Sequence, residues 1–163
     1  MDKPAIELGR LLSARGETLS VAETTTGGLI SASIIAVPGS SAFYDRGIVA
    51  YSKASKIESL GIPESRLAEL GAVSPETAEL LALSVRKMAG TTYGLAETGI
   101  AGPIVGRSPK PIGATHVAFA GPQGVRTVSL QLKGDRQEIQ RGIAQQAVSF
   151  ALECLENGDK IGS

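Results

Sequence analysis

Near the start of the chain, Ile6, Leu8, Leu11, Leu12 and Ala14 recur on one helical face, and Gly16 is placed to stop it. This predicts a first helix over about 4–15. "TLSVA" (18–22) reads as a buried strand, and after a polar stretch "GGLISASIIAV" (27–37) reads as a small-residue helix ended by Pro38-Gly39. "GIVAYS" (47–52) is a second strand, followed by short helices in "KASKIESLG", closed by Gly61, and "PESRLAELG". Ser74 and Pro75 suit the N-cap and first position of a helix whose apolar positions continue to Met88. "YGLAE" (93–97), "ATHVAFA" (114–120) and "RTVSLQL" (126–132) read as strands. Asp135 then caps a long helix whose apolar positions Ile139, Ile143, Ala147, Phe150 and Cys154 step by three or four.

Helices interleaved with strands, then two adjacent strands late in the chain, predict a single three-layer α/β/α domain with a mixed sheet. The domain is expected over residues 1–157, with 158–163 as a frayed, flexible tail. The Gly- and Pro-rich segment 99–114 cannot be a regular element and is long for a connection, which marks it as an ordered functional loop between its flanking strands.

Composition narrows the function classes. With 163 residues the chain can bury a core without disulfides or metal clips. Its 16 basic and 16 acidic residues balance, so its overall field gives no reason to expect nucleic acid or an anionic membrane as partner. Three Phe, three Tyr and no Trp leave little for a base-stacking platform. The lone Cys154 rules out an internal disulfide framework and reads as core, and a sole histidine, His116, rules out a His-rich metal site and reads as a satisfied sheet residue. No stretch approaches the roughly 20 apolar residues of a membrane span, and the charged N-terminus lacks a signal-type apolar core. The expectation is a soluble, cytoplasmic protein without metal or cofactor; its small-residue apolar helices leave room for a homo-oligomer.

In open α/β sheets ligands sit at the carboxyl ends of strands. Three polar sites fall there: Glu23–Gly28, Tyr51–Lys56 and Glu97–Gly102. In Thr24-Thr25-Thr26-Gly27-Gly28 the glycines let backbone approach a ligand, and a helix start offers NH donors to an anion; the alternative is an ordinary Thr cap with glycines for packing. The stretch has neither P-loop nor dinucleotide spacing. Lys56 lies one helical turn beyond Tyr51-Ser52, and a buried lysine near a hydroxyl can act as base; the alternative is a solvated lysine beside Lys53. Glu97-Thr98-Gly99 through Pro103 repeats the strand-end theme of acid, hydroxyl and glycine, the alternative being a Gly-rich turn with a capping threonine; Arg107, Lys110 and Arg136 could supply cations to a phosphate or carboxylate, or be merely solvated.

Taken in order, these stretches resemble one family, the C-terminal domain of the competence-damage-inducible protein CinA, over about residues 5–156. "VAETTTGGLISA" resembles its A-E-S-C/S-T-G-G, and "VPGSSAFYDRGIVAYSKASK" its P-G-S-S and G-V-V-x-Y-S-N-x-A-K. "LGAVSPETA", "TGIAGP", "KPIG" and "GDR" match further motifs in the same order. The resemblance implies hydrolysis of the carboxamide of nicotinamide mononucleotide to nicotinic acid mononucleotide and ammonia, a step of pyridine-nucleotide salvage. It further implies Thr24 in the place of the nucleophilic serine and Lys56 in that of the assisting lysine. Glu23, Thr25, Thr26, Gly27, Gly28, Tyr51, Thr98, Gly99, Lys110 and Arg136 are then expected around a nucleotide-like substrate.

The departures are specific. Thr24 keeps the hydroxyl but adds a methyl that restricts its rotamer and crowds the attack path. Ile104-Val105-Gly106 replaces a more polar, Gly-rich loop, and Glu97 stands where the family is usually apolar. If Glu97 shared a pocket with Glu23, one of them could hold a raised pKa and move protons; a solvated Glu97 is the simpler expectation. The leading reading is an amidohydrolase. Its rival is a catalytically silent relative that keeps the pocket to bind a nucleotide or regulate a partner, and a divalent-metal site on the two acids is a weaker third.

Overall fold

A computed structural model describes residues 2–106 and 108–161, so Arg107, named above as a candidate cation, lies outside the described residues, as do Met1, Gly162 and Ser163. Six helices and five strands follow in the order α1 (Lys3–Arg15), β1 (Leu19–Glu23), α2 (Leu29–Ile35), β2 (Tyr44–Val49), α3 (Lys53–Leu60), α4 (Glu64–Leu70), α5 (Pro75–Ala89), β3 (Tyr93–Gly99), β4 (Ala114–Gly121), β5 (Gly124–Gln131) and α6 (Arg136–Ile161), with a 3-10 turn at Ser40–Ala42. The sheet order is β2-β1-β3-β4-β5. Strand β1 runs parallel to β2 and β3, while β4 is antiparallel to β3 and β5. The expected mixed sheet is present, and helices cover both of its faces.

Strand alternation sorts the core into two halves. Leu19, Val21, Leu95, Val117 and Phe119 point to the layer of α1, α2 and α6. Ala22, Ala96, Ala118 and Ala120 point to α5, with α3 and α4 at its flank. The α5 side is built from alanines and a glycine because this helix lies close against the sheet: a Cβ on Gly94 would stand 2.2 Å from the main-chain oxygen of Ala82. Parity then places Glu23 and Glu97, two residues beyond Val21 and Leu95, on the α2/α6 side at adjacent strand ends. Thr98 falls on the α5 side.

Element boundaries shift where turns intervene. Gly27 and Gly28 have φ of 60° and 108°, so they form the turn and α2 starts only at Leu29, two residues later than the apolar pattern alone suggests. β2 begins earlier than expected, at Tyr44, and leaves Tyr51 and Ser52 beyond the strand; Ser52 Oγ instead accepts the Ser55 amide and caps α3. Ser74 caps α5 by accepting the Thr77 amide, as read from sequence. At α6, Asp135 Oδ1 accepts the Glu138 amide at 2.9 Å and Glu138 Oε2 accepts the Asp135 amide at 2.8 Å, a reciprocal capping box. The helix runs on to Ile161, into the segment expected as a tail.

Candidate active site

Two carboxylates organise the turn after β1. Glu23 is completely buried. Its Oε1 accepts from Thr26 Oγ1 (2.6 Å), Gly28 N (3.2 Å) and Ile30 N (2.8 Å). Its Oε2 accepts from Ser31 N (3.0 Å) and Ser31 Oγ (2.6 Å). A carboxylate from the preceding strand thus satisfies the orphan amides of α2, whose own N-cap is a glycine without a side chain to do so. Glu23, expected among the substrate contacts, supports the turn instead.

Glu97, at the end of β3, is equally buried, which overturns the expectation of a solvated side chain. Its Oε1 accepts from Thr24 N (2.6 Å) and Thr26 N (3.0 Å) and lies 2.9 Å from Thr26 Oγ1, whose single hydrogen the two carboxylates share. Burial raises its pKa most strongly, the neighbouring Glu23 adds to this, and the Thr24 and Thr26 hydrogen bonds oppose it. The two acids do share one pocket, joined through the Thr26 hydroxyl. Ser31 and Glu97 are absent from the set expected around the substrate; the signal for Glu97 was a lone acid at a strand end among apolar neighbours.

These contacts decide which groups of "TTTGG" remain available. Thr26 is buried with its amide and hydroxyl committed, and the Gly28 amide belongs to Glu23, so the run of free helix-start donors expected over Thr25–Gly28 is only partly present. The Thr25 and Gly27 amides have no acceptor among the described residues. Thr24 Oγ1 donates to the main-chain oxygen of Glu97 at 3.1 Å and lies 3.3 Å from Thr25 Oγ1. Thr25 Oγ1 donates to Gly99 O at 3.0 Å, tying β1 to the loop after β3.

Lys56 is the second catalytic candidate. It occupies the buried face of α3 with Leu60, one turn on, which overturns the solvated alternative; the solvated partner is Lys53, paired with Glu64 at 2.8 Å. Lys56 Nζ donates to Tyr51 O at 3.1 Å. Burial lowers its pKa, while the field of Glu97 works the other way. It borders a cavity of about 170 Å³ with Leu67, Ala68 and Ala72. No hydrogen bond joins Lys56 to Thr24 directly.

The remaining candidates divide. Thr98 is buried, and its hydroxyl donates to Ala72 O at 2.7 Å, so it fixes the α4–α5 connection on the far face of β3. Arg136, in the first turn of α6, donates to Gly102 O at 2.7 Å and approaches Tyr51 Oη at 3.5 Å, bridging the long loop to the Tyr51–Lys56 segment. It lines a cavity of about 350 Å³ with Ala101, Pro103 and Ile112. One turn later, Gln140 Nε2 donates to Thr25 O at 3.0 Å, a contact whose only trace in the sequence is the polar pair Arg136 and Gln140 at i,i+4. Lys110 lies where its charge is felt by His116.

His116 itself is only half satisfied: Nδ1 meets Ser129 Oγ at 2.8 Å, while Nε2 is buried without a partner among the described residues. Burial pushes the Cys154 thiol up to about 11, in keeping with a core residue.

Comparison with known proteins bears on the family and the fold. Residues 1–157 match the CinA C-terminal domain. The chain belongs to that family. Its relatives include a CinA-like protein of Anaeromyxobacter dehalogenans, 44% identical over 139 residues and 85% of this chain, and one of Frankia casuarinae, 48% identical over 145 residues and 89% of it. The chain spans about a third of the length of these curated relatives, 34% and 33% respectively. Among solved structures, a CinA superfamily protein of Klebsiella pneumoniae superposes with a TM-score of 0.91 at 28% identity, covering 96% of this chain and 98% of that one. A competence/damage-inducible protein of Agrobacterium tumefaciens gives 0.83 at 33% identity over 94% and 96%. Within this domain the Thr24–Glu97 and Thr25–Gly99 hydrogen bonds join the ends of β1 and β3, and the start of α6 reaches Tyr51 and Thr25. No helix among the described residues is long and apolar enough to cross a membrane.

Proposed function

We propose that this CinA domain is an amidohydrolase acting on the carboxamide of a pyridine mononucleotide, releasing ammonia and leaving the acid. The observation that carries the reading is the Thr24 hydroxyl at the end of β1, held to Glu97 and followed by the partnerless amides of Thr25 and Gly27, with a lysine whose charge is disfavoured by burial within the field of Glu97. Acyl transfer needs these parts: a hydroxyl to attack, donors for the developing oxyanion, and a group with a displaced pKa to exchange protons. Thr24 supplies the nucleophile and Lys56 the basic partner. Arg136, whose guanidinium already meets Tyr51 and the loop, is the cation for the nucleotide phosphate, assisted by Lys110.

Ammonia release from nicotinamide mononucleotide tests this. Wild type should release it, and the Lys56→Ala variant should lose most of the rate. The absence of a direct Thr24–Lys56 hydrogen bond favours a second reading, a nucleotide-binding domain without turnover. That protein would gain thermal stability with the mononucleotide and release no ammonia.

A further inference from the structure

The Thr26 hydroxyl has one hydrogen and two carboxylate neighbours, Glu23 Oε1 at 2.6 Å and Glu97 Oε1 at 2.9 Å. Glu23 is otherwise filled by the amides of Gly28, Ile30 and Ser31 and by the Ser31 hydroxyl. Glu97 Oε1 is filled by the amides of Thr24 and Thr26. One carboxylate oxygen remains. Glu97 Oε2 has a single hydrogen-bonding neighbour among the described residues, Thr24 Oγ1 at 3.4 Å. Contacts of this kind are often long before a substrate is bound and tighten in the reacting complex. Lys56, by contrast, spends its ammonium on the Tyr51 carbonyl and does not reach the Thr24 hydroxyl.

We infer that Glu97 is the immediate proton acceptor for Thr24, its Oε2 taking the hydroxyl proton as Oγ1 attacks an acyl carbon. The inference rests on the reading of Thr24 as nucleophile. As the Oγ1–C bond forms, the carbonyl π pair moves to oxygen, facing the Thr25 and Gly27 amides. Collapse breaks the C–N bond, and the proton held on Oε2 passes to the leaving nitrogen, giving ammonia. Water then attacks the acyl-threonine, leaves its proton on Oε2, and collapse returns that proton to Oγ1 with release of the acid. Glu97 ends the cycle in the protonation state in which it began. Burial and the adjacent Glu23 make its carboxylate a stronger base than an exposed one. Lys56 lies close enough for its field to act on this carboxylate.

The test reads nucleophile activation without assuming the natural substrate. The 163-residue chain is treated with p-nitrophenyl acetate, and acylation of Thr24 is followed by intact and peptide mass across pH. Wild type should acylate at Thr24 with a rate that climbs with pH as Glu97 ionises, and Thr24→Val should not acylate there. Glu97→Gln, which keeps an acceptor for the two amides, should react at least about 100-fold more slowly and lose that limb of the profile. Glu97→Asp retains a carboxylate and should keep the limb at reduced rate, which covers the case of a Gln variant that does not fold. A fall under tenfold in Glu97→Gln, a limb that persists in it, or a wild type unreactive at Thr24 overturns the inference. Acylation of Thr24 by a protein that leaves nicotinamide mononucleotide intact would reject the proposed substrate and leave Glu97's part standing.

Discussion

Glu97 and Thr24 touch through both main chain and side chain: the Thr24 amide donates to Glu97 Oε1 at 2.6 Å, and the Thr24 hydroxyl donates to the Glu97 carbonyl at 3.1 Å. The nucleophile candidate is therefore fixed to the neighbouring strand by its backbone, and only its hydroxyl has to move to meet a substrate. Its methyl group contributes nothing to these bonds. Replacing Thr24 with Ser keeps both and frees the rotamer, so ammonia release from the mononucleotide should rise severalfold. Thr24→Ala should lower it by about 10³-fold or more with little change in Tm. Rates within twofold of wild type in the alanine variant would refute the nucleophile assignment.

The Glu23 carboxylate collects the Gly28, Ile30 and Ser31 amides and the Ser31 hydroxyl at the start of α2, so its removal is a test of the fold rather than of chemistry. Glu23→Ala strands the amides of Gly28, Ile30 and Ser31 and the Ser31 hydroxyl in a buried setting. The expected cost is about 3 kcal/mol, since hydrogen bonds to a charged group are the stronger ones and buried orphans are costly. For a chain of this size that corresponds to a fall in Tm of roughly 6–12 °C by differential scanning calorimetry. An unchanged Tm would mean that the network is not what holds the turn.

Much of this was legible in the chain. Helical spacing and the Ser74 and Asp135 caps identify the helices, because they are local signals that tertiary packing reinforces. The family resemblance named Arg136 and Tyr51 together, and the two approach each other at 3.5 Å. What could not be read was which polar residue faces inward. Glu23 looks like a ligand contact in sequence and is a helix cap in space; Thr98 looks like its neighbour's twin and points to the opposite side of the sheet. Both outcomes follow from the parity of a strand whose last residues carry no apolar pattern to set it. Glu97 reads as solvated because charged side chains usually are, and only the adjacency of β1 and β3 supplies its partners.

Lys56 makes stability depend on pH with a definite sign. Burial depresses its folded pKa below the value near 10.4 expected in the unfolded chain. Between those two values the unfolded chain binds more protons than the folded one, so stability rises with pH; below the folded value the penalty of the buried charge is fully present. Lys56→Met, which fills the same space without charge, should therefore have a higher Tm than wild type at neutral pH. The gap should narrow as the pH is raised toward that of the unfolded lysine. A gap that is constant with pH would place the lysine's charge in solvent.

The closeness of α5 to the sheet yields a prediction independent of the site. Strand β3 carries glycine at position 94, where an added Cβ would lie 2.2 Å from Ala82 O, 2.9 Å from the Arg86 Cβ and 3.1 Å from the Arg86 amide nitrogen. The nearest of these is backbone within a helix and cannot swing aside as a side-chain tip would. Gly94→Ala must push α5 outward, loosening the contacts of Ala78, Leu81 and Val85 with the alanine face of the sheet. Overpacking of this kind costs about 1–3 kcal/mol, so the variant should lose several degrees of Tm. Because α5 also carries the Ser74 cap that abuts Ala72 and the Lys56 cavity, the outward shift should weaken mononucleotide binding in the same variant. Gly142→Ala is the control: its nearest neighbour would be a Leu132 methyl at 3.5 Å, an ordinary contact, and an alanine there favours the helix, so its Tm should hold or rise. Equal destabilisation of the two variants would show that helix-to-sheet distance is not the reason for glycine at position 94.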